Sequence, residues 1–177
     1  GYSSAASDVY KRQQEYDNAF HMETIRAFAD SGIWSVLKVS KYMTPADQAI
    51  VPLPGAGFYP ALWHLMCALV VSVLDCPVAL ALNAVNFTVA SLIFPTGMLL
   101  LLSTIFTRRK TIRLGSICTL AFLGFPWLIL YWGPLYANAF GFALAPAVCA
   151  LFVRIVDALA AHTLKAVDIF AFLLGTL

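Results

Sequence analysis

The chain has 177 residues, 61% of them hydrophobic and 11% charged, with mean hydropathy +0.82 and formal net charge +2. A soluble domain averages about 45–50% apolar and about 25% charged residues, so this composition excludes an ordinary water-soluble globule and points to a membrane protein. The small net charge implies no nucleic-acid partner, because the basic residues flank apolar runs and form no continuous basic surface.

Eleven of the twenty charged residues precede residue 58. The chain therefore divides into a water-facing region over residues 14–57 and a bilayer-embedded body over 58–177, an all-α polytopic membrane fold. Residues 1–13 are set apart, because the run from Ser4 to Gln13 resembles a translated sequencing adapter. The final apolar run, Phe172-Leu173-Leu174-Gly175-Thr176-Leu177, reads as unfinished, and no signal peptide or first hydrophobic span precedes the polar region. The expectation is a fragment of a longer protein.

Within the polar region, residues 15–30 have the periodicity of an amphipathic helix, with Phe20, Ile25, Phe28 and Ala29 near one stripe and Glu23, Arg26 and Asp30 off it. Ser31-Gly32 should end it, since glycine takes the left-handed cap readily. A second short amphipathic stretch is expected over 34–42. Thr44-Pro45 then suggests a turn or a helix start, and Pro52, Pro54, Gly55 and Gly57 make a loop.

The apolar body breaks into runs over 58–74, 78–106, 114–131, 139–153 and 166–177. The first is at the short limit for ~30 Å of hydrocarbon. The second is long enough to cross with tilt, and Pro95 should kink it. The third reads as a clear span, and the fourth is a shorter one with Pro146 inside. The four cysteines (Cys67, Cys76, Cys118, Cys149) lack disulfide or metal-ligand spacing and are expected to pack as small hydrophobes.

Loop charge sets the orientation. Arg108, Arg109, Lys110 and Arg113 form the strongest basic cluster, the 154–165 loop is weakly basic, and the 132–138 loop is uncharged. The positive-inside rule places the first two loops in the cytoplasm and the third outside. Residues 14–57 are then cytoplasmic if 58–74 is a full span, and external if it only dips into or lies along the membrane.

Two polar-aromatic clusters could carry chemistry. Asp17 and His21 are four apart and share a helix face, where a carboxylate can orient an imidazole or act as a base. The plain alternative is a solvated polar face. In Phe58-Tyr59-Pro60-Ala61-Leu62-Trp63-His64, proline suits a first helical turn and Tyr59 and Trp63 suit an interfacial belt. His64 is costly at membrane depth, and such a group tends to face a cavity or partner. Asn83 and Asn86 read as interhelical hydrogen-bonding residues, and Asn138 lies beside Tyr136 in an aromatic, uncharged loop suited to a lipid or sugar. No phosphate-cradling glycine loop, zinc spacing or Ser/His/Asp arrangement is present.

The run 17–26 (Asp-Asn-Ala-Phe-His-Met-Glu-Thr-Ile-Arg), Asp30-Ser31-Gly32, the 58–64 element and Trp132-Gly133-Pro134-Leu135-Tyr136-Ala137-Asn138 together resemble a group of uncharacterised actinobacterial multipass membrane proteins. That group is similar to the GT-C superfamily of membrane glycosyltransferases, which take sugars from polyprenyl-phosphate donors. The resemblance covers most of residues 14–153. It implies a glycosyltransferase of the bacterial plasma membrane that builds a cell-envelope glycan. Asp17 would be the catalytic base, and His21, Tyr59, Trp63, His64 and Asn138 the substrate-binding residues. The partners would be membrane lipid, a lipid-linked sugar and a glycan acceptor. No resident cofactor or metal ligand set follows, and divalent-metal dependence stays open. The chain departs from the pattern in lacking an Asp-x-Asp pair and a preceding first helix. A transporter or flippase for envelope lipids, or a structural subunit, would use the same polar groups differently.

Overall fold

The structure is a computed structural model and describes residues 18–35, 60–132 and 135–176. Every regular element among them is helical. The chain divides into two compact units, one comprising the residues up to Val85 together with Tyr131–Ala137, the other Asn86–Leu130 with Asn138–Leu177.

In the first unit, α1 covers residues 18–31 and α2 covers Leu62–Leu74. The buried face of α1 is His21, Thr24, Ile25 and Phe28, the three-and-four spacing of one helical stripe. Glu23, Arg26 and Asp30 are exposed, as their positions off the stripe require. The stripe is rotated from the expected one: Phe20 and Ala29 sit on its edges, half-buried, and His21 takes the central place. The helix ends as expected, on Gly32 at φ +65, whose N–H bonds to the Phe28 carbonyl at 3.1 Å.

α2 has 13 residues, about 20 Å of helix, and is therefore too short to cross ~30 Å of hydrocarbon. Its buried face is Trp63, His64, Cys67 and Ala68. Asp75, in the left-handed conformation (φ 47, ψ 50), closes it. Pro77 then opens α3, its carbonyl accepting from the N–H groups of Leu80 and Ala81.

α3 runs Val78–Ile105, 28 residues, with Asn86 buried and Asn83 exposed. The kink expected at Pro95 takes the form of a π turn over Val89–Ile93, in which the Phe94 N–H reaches back five residues to the Val89 carbonyl. Proline has no N–H to give the fourth residue before it, and its ring needs room there; one wide turn supplies that room. Ser72, Ser91 and Thr96 each donate to the carbonyl four residues earlier, at 2.9, 2.6 and 2.6 Å. Hydroxyls bonded in this way can face hydrocarbon with their protons satisfied.

The segment Arg109–Tyr131 is long and apolar enough to cross a membrane, as the 114–131 run led one to expect, and it is broken within. It comprises α4 (Arg109–Cys118), a 3-10 turn (Thr119–Ala121), a wide turn (Leu123–Leu128) and α5 (Ile129–Trp132). Phe122 and Phe125 are extended, the latter at φ -134, ψ 136. Pro126 accounts for the second break, since a residue before proline is driven out of the helical region. Three contacts accompany the break: the Trp127 indole donates to the Leu120 carbonyl at 2.7 Å, and the Phe125 ring meets Phe94 and Phe142 edge-on at 4.6 and 6.3 Å.

α6 (Tyr136–Ala160, 25 residues) is longer than the expected 139–153 run and carries Pro146 within it; α7 covers Ala166–Thr176. Together with α3 and the Arg109–Tyr131 segment, α6 gives three helices long and apolar enough to span. This is a membrane protein. In the second unit, α3 and α6 approach at Gly97, where a Cβ would lie 3.3 Å from the Ala147 backbone nitrogen and 3.5 Å from the Ala143 carbonyl oxygen. On the other side of α3, Ser116 of α4 donates to the Pro95 carbonyl.

The close approach at Gly97 has a mechanical consequence. Gly97→Val should force α3 and α6 apart and lower thermal stability in detergent by about 1–3 kcal/mol. Gly141→Ala, on a helix face with nothing within 4 Å, should leave it unchanged or raise it slightly. Equal melting temperatures for Gly97→Val and the parent would contradict this packing.

Candidate functional site

The first unit brings the two polar-aromatic clusters together. His21 Nδ1 and His64 Nε2 lie 2.8 Å apart, and the two residues are 4% and 0% exposed. At that separation one nitrogen carries the hydrogen and the other offers its lone pair. The facing nitrogens cannot both be protonated, so the hydrogen-bonded pair carries at most one positive charge. Of the two readings of this face, the solvated one does not hold at His21, which points inward.

Aromatic rings enclose the imidazoles. Trp63 meets His21 edge-on at 5.5 Å, and Phe20 meets His64 edge-on at 6.2 Å. Tyr136 stacks on Trp63 at 5.1 Å, lies 5.4 Å from His21, and donates its hydroxyl hydrogen to Asn18 Oδ1 at 2.9 Å. Trp63 is 1% exposed, so it backs the imidazoles and does not serve the interfacial belt suggested by its spacing from Tyr59. Burial first, and then the neighbouring His21 charge, push the pKa of His64 down to about 3. One turn along α2, burial pushes the Cys67 thiol up to about 12, an inert packing thiol as its apolar context implied.

Of the residues singled out from sequence, His21, Trp63 and His64 come together. Asp17 and Tyr59 lie outside the described residues, as do the 34–42 amphipathic stretch beyond Ser35 and the proline-glycine loop. Asn138 is exposed on α6 and belongs to the second unit. The sequence reading did not assign Asn18, Phe20 or Tyr136 to the site. Asn18 and Phe20 lie between Asp17 and His21 in the sequence, but nothing local could tie Asn18 to a tyrosine 118 residues later. Among the described residues, no three His, Cys, Asp or Glu side chains gather into a cation site.

Chemically, the arrangement is a desolvated, singly protonatable imidazole pair. The second ring fixes the orientation and tautomer of the first, as a carboxylate does in a catalytic dyad. Below pH 6.5 the unfolded chain takes up a proton that folded His64 refuses until about pH 3. Its contribution is complete above that range and is lost as pH falls, at about 1.4 kcal/mol per unit. Thermal unfolding in detergent should show this slope, and His64→Gln should flatten it while lowering stability near neutral pH. An unchanged slope in His64→Gln would contradict the burial of a neutral imidazole.

No curated protein and no solved structure matches the chain. One family model does, over residues 4–177, and its description is a family of unknown function. The match covers both polar-aromatic clusters and all of the apolar helices. The chain belongs to this family, DUF6541.

Proposed function

We propose that this chain is the catalytic part of a GT-C-like glycosyltransferase of the bacterial plasma membrane, moving a sugar from a polyprenyl-phosphate donor onto a cell-envelope glycan. The observation that carries the reading is the His21–His64 hydrogen bond at 2.8 Å inside an aromatic enclosure. It fixes an orientable imidazole one helical turn beyond Asp17 in the sequence. The shortness of α2 supports the required sidedness. With the basic 107–113 loop cytoplasmic, α3 runs from outside to inside; α2 does not cross, so α1 stays on the outer face, where lipid-linked donors are used.

In this mechanism Asp17 takes the proton of the acceptor hydroxyl, and the acceptor oxygen attacks the anomeric carbon. The bond between that carbon and the phosphate oxygen breaks, and the electron pair leaves with the polyprenyl phosphate. His21 stabilises the charge developing there, using the ring nitrogen that does not face His64. His64 reaches no solvent and acts through His21 as a positioning residue. Tyr59 contributes a substrate contact.

One observation favours a second reading. The 119–128 interruption resembles the discontinuous helices of transporters, and a flippase would move lipid-linked glycan without forming a bond.

The readings separate in membranes containing the protein and a panel of labelled polyprenyl-phosphate sugars. Asp17→Asn should reduce transfer by about 100-fold or more, and His64→Gln should lower kcat more than it alters KM, both with normal membrane insertion. Full transfer by Asp17→Asn would remove that carboxylate from the mechanism. Lipid movement without glycosidic product would favour the flippase.

A further inference from the structure

The turn between α3 and α4 carries Arg108, Arg109, Lys110 and Arg113, all exposed. No acidic residue occurs between Asp75 and Asp157, and α4 has none in its first turn. Four cations within six residues are thus left without a carboxylate from their own stretch of chain.

The surroundings identify the partner. On α4 and the 3-10 turn that follows it, the buried side is Ser116 and Thr119, with Ile112 and Gly115 half-buried beside them. The opposite stripe, at three-and-four spacing, reads Lys110, Arg113, Leu114, Ile117 from the turn inward. Leu114 and Ile117 are 63% and 62% exposed. On the α3 side of the turn, Ile105 and Phe106 are 64% and 44% exposed. One continuous face therefore passes from cations at the tip to bare hydrocarbon within about two helical turns. A soluble acidic partner would complement the charge but not the apolar half. A bilayer leaflet complements both, with acyl chains against Leu114 and Ile117 and headgroup phosphates at the level of the basic side chains.

We propose that the α3–α4 turn is a binding surface for anionic phospholipid headgroups, with Arg108, Arg109, Lys110 and Arg113 as the phosphate contacts. Arginine adds paired N–H donors suited to a phosphodiester. The surface holds this end of the hairpin at the depth of the headgroups in the leaflet facing the basic loop. It depends on the membrane reading alone, so it stands whether the chain transfers sugars or moves lipids.

Native mass spectrometry of the full chain in detergent, offered phosphatidylglycerol and phosphatidylcholine with identical acyl chains, tests the assignment. Phosphatidylglycerol should be retained at least about tenfold over phosphatidylcholine. Each of Arg109→Gln, Lys110→Gln and Arg113→Gln should cut that preference roughly fivefold. Arg154→Gln and Lys165→Gln should leave it unchanged. Should the tip variants fail to fold, the parent still decides the matter: raising ammonium acetate from about 0.05 to about 0.5 M should erode most of the preference. Equal retention of the two lipids overturns the proposal. So does a preference that survives in a folded triple variant, or one that inorganic phosphate abolishes at equal concentration, which would mark a site for free anions.

Discussion

Two buried imidazoles sharing one hydrogen hold the polar segment of this protein against its first apolar helix. His21 and His64 are 43 residues apart in sequence and 2.8 Å apart in space. Neither could be buried alone at small cost, since an imidazole without a partner forfeits its hydrogen bonds to water. Paired, each satisfies one ring nitrogen of the other, and the rings of Phe20, Trp63 and Tyr136 exclude solvent around them. The same desolvation keeps His64 neutral at any physiological pH. What positions α1 is therefore also what gives His21 a defined orientation, and the functional proposal depends on that coincidence.

The second unit meets a different constraint. Apolar helices in lipid must satisfy every backbone group internally, yet this chain places Pro95 and Pro126 within its long segments. Each is accommodated by a distinct device. Around Pro95 the helix widens to a π turn, and the carbonyl of that proline accepts the Ser116 hydroxyl. Around Pro126 the helix breaks, and the Trp127 indole takes up the Leu120 carbonyl while Phe125 turns to meet Phe94 and Phe142. The prolines therefore help set where neighbouring segments touch.

Composition and periodicity made the architecture legible, because a bilayer imposes a length and polarity rule on each segment. The helical character of α1, its Gly32 cap and the exposure of Glu23, Arg26 and Asp30 also followed from local pattern. The pairing of His21 with His64 did not. Hydrophobic periodicity treats histidine as polar and left a solvated His21 open, whereas tertiary pairing pulls it into the core. The interruption after Cys118 was equally hidden, since leucine, phenylalanine and isoleucine read alike in a straight or a broken segment. Pro126, standing within that run, was the available signal. Asn18 and Tyr136 meet only through the fold, so no spacing rule could have joined them.

The central claim is that α1, carrying His21, packs on the outer face of the membrane against a helix that does not cross it. Its most direct test is the sidedness of exposed Asp30, replaced by cysteine in the protein without its native cysteines. Intact cells would be treated with a membrane-impermeant thiol reagent. The account predicts labelling before lysis, as required of a site that uses lipid-linked donors outside. Protection in intact cells, with labelling only after lysis, would put α1 in the cytoplasm and contradict it.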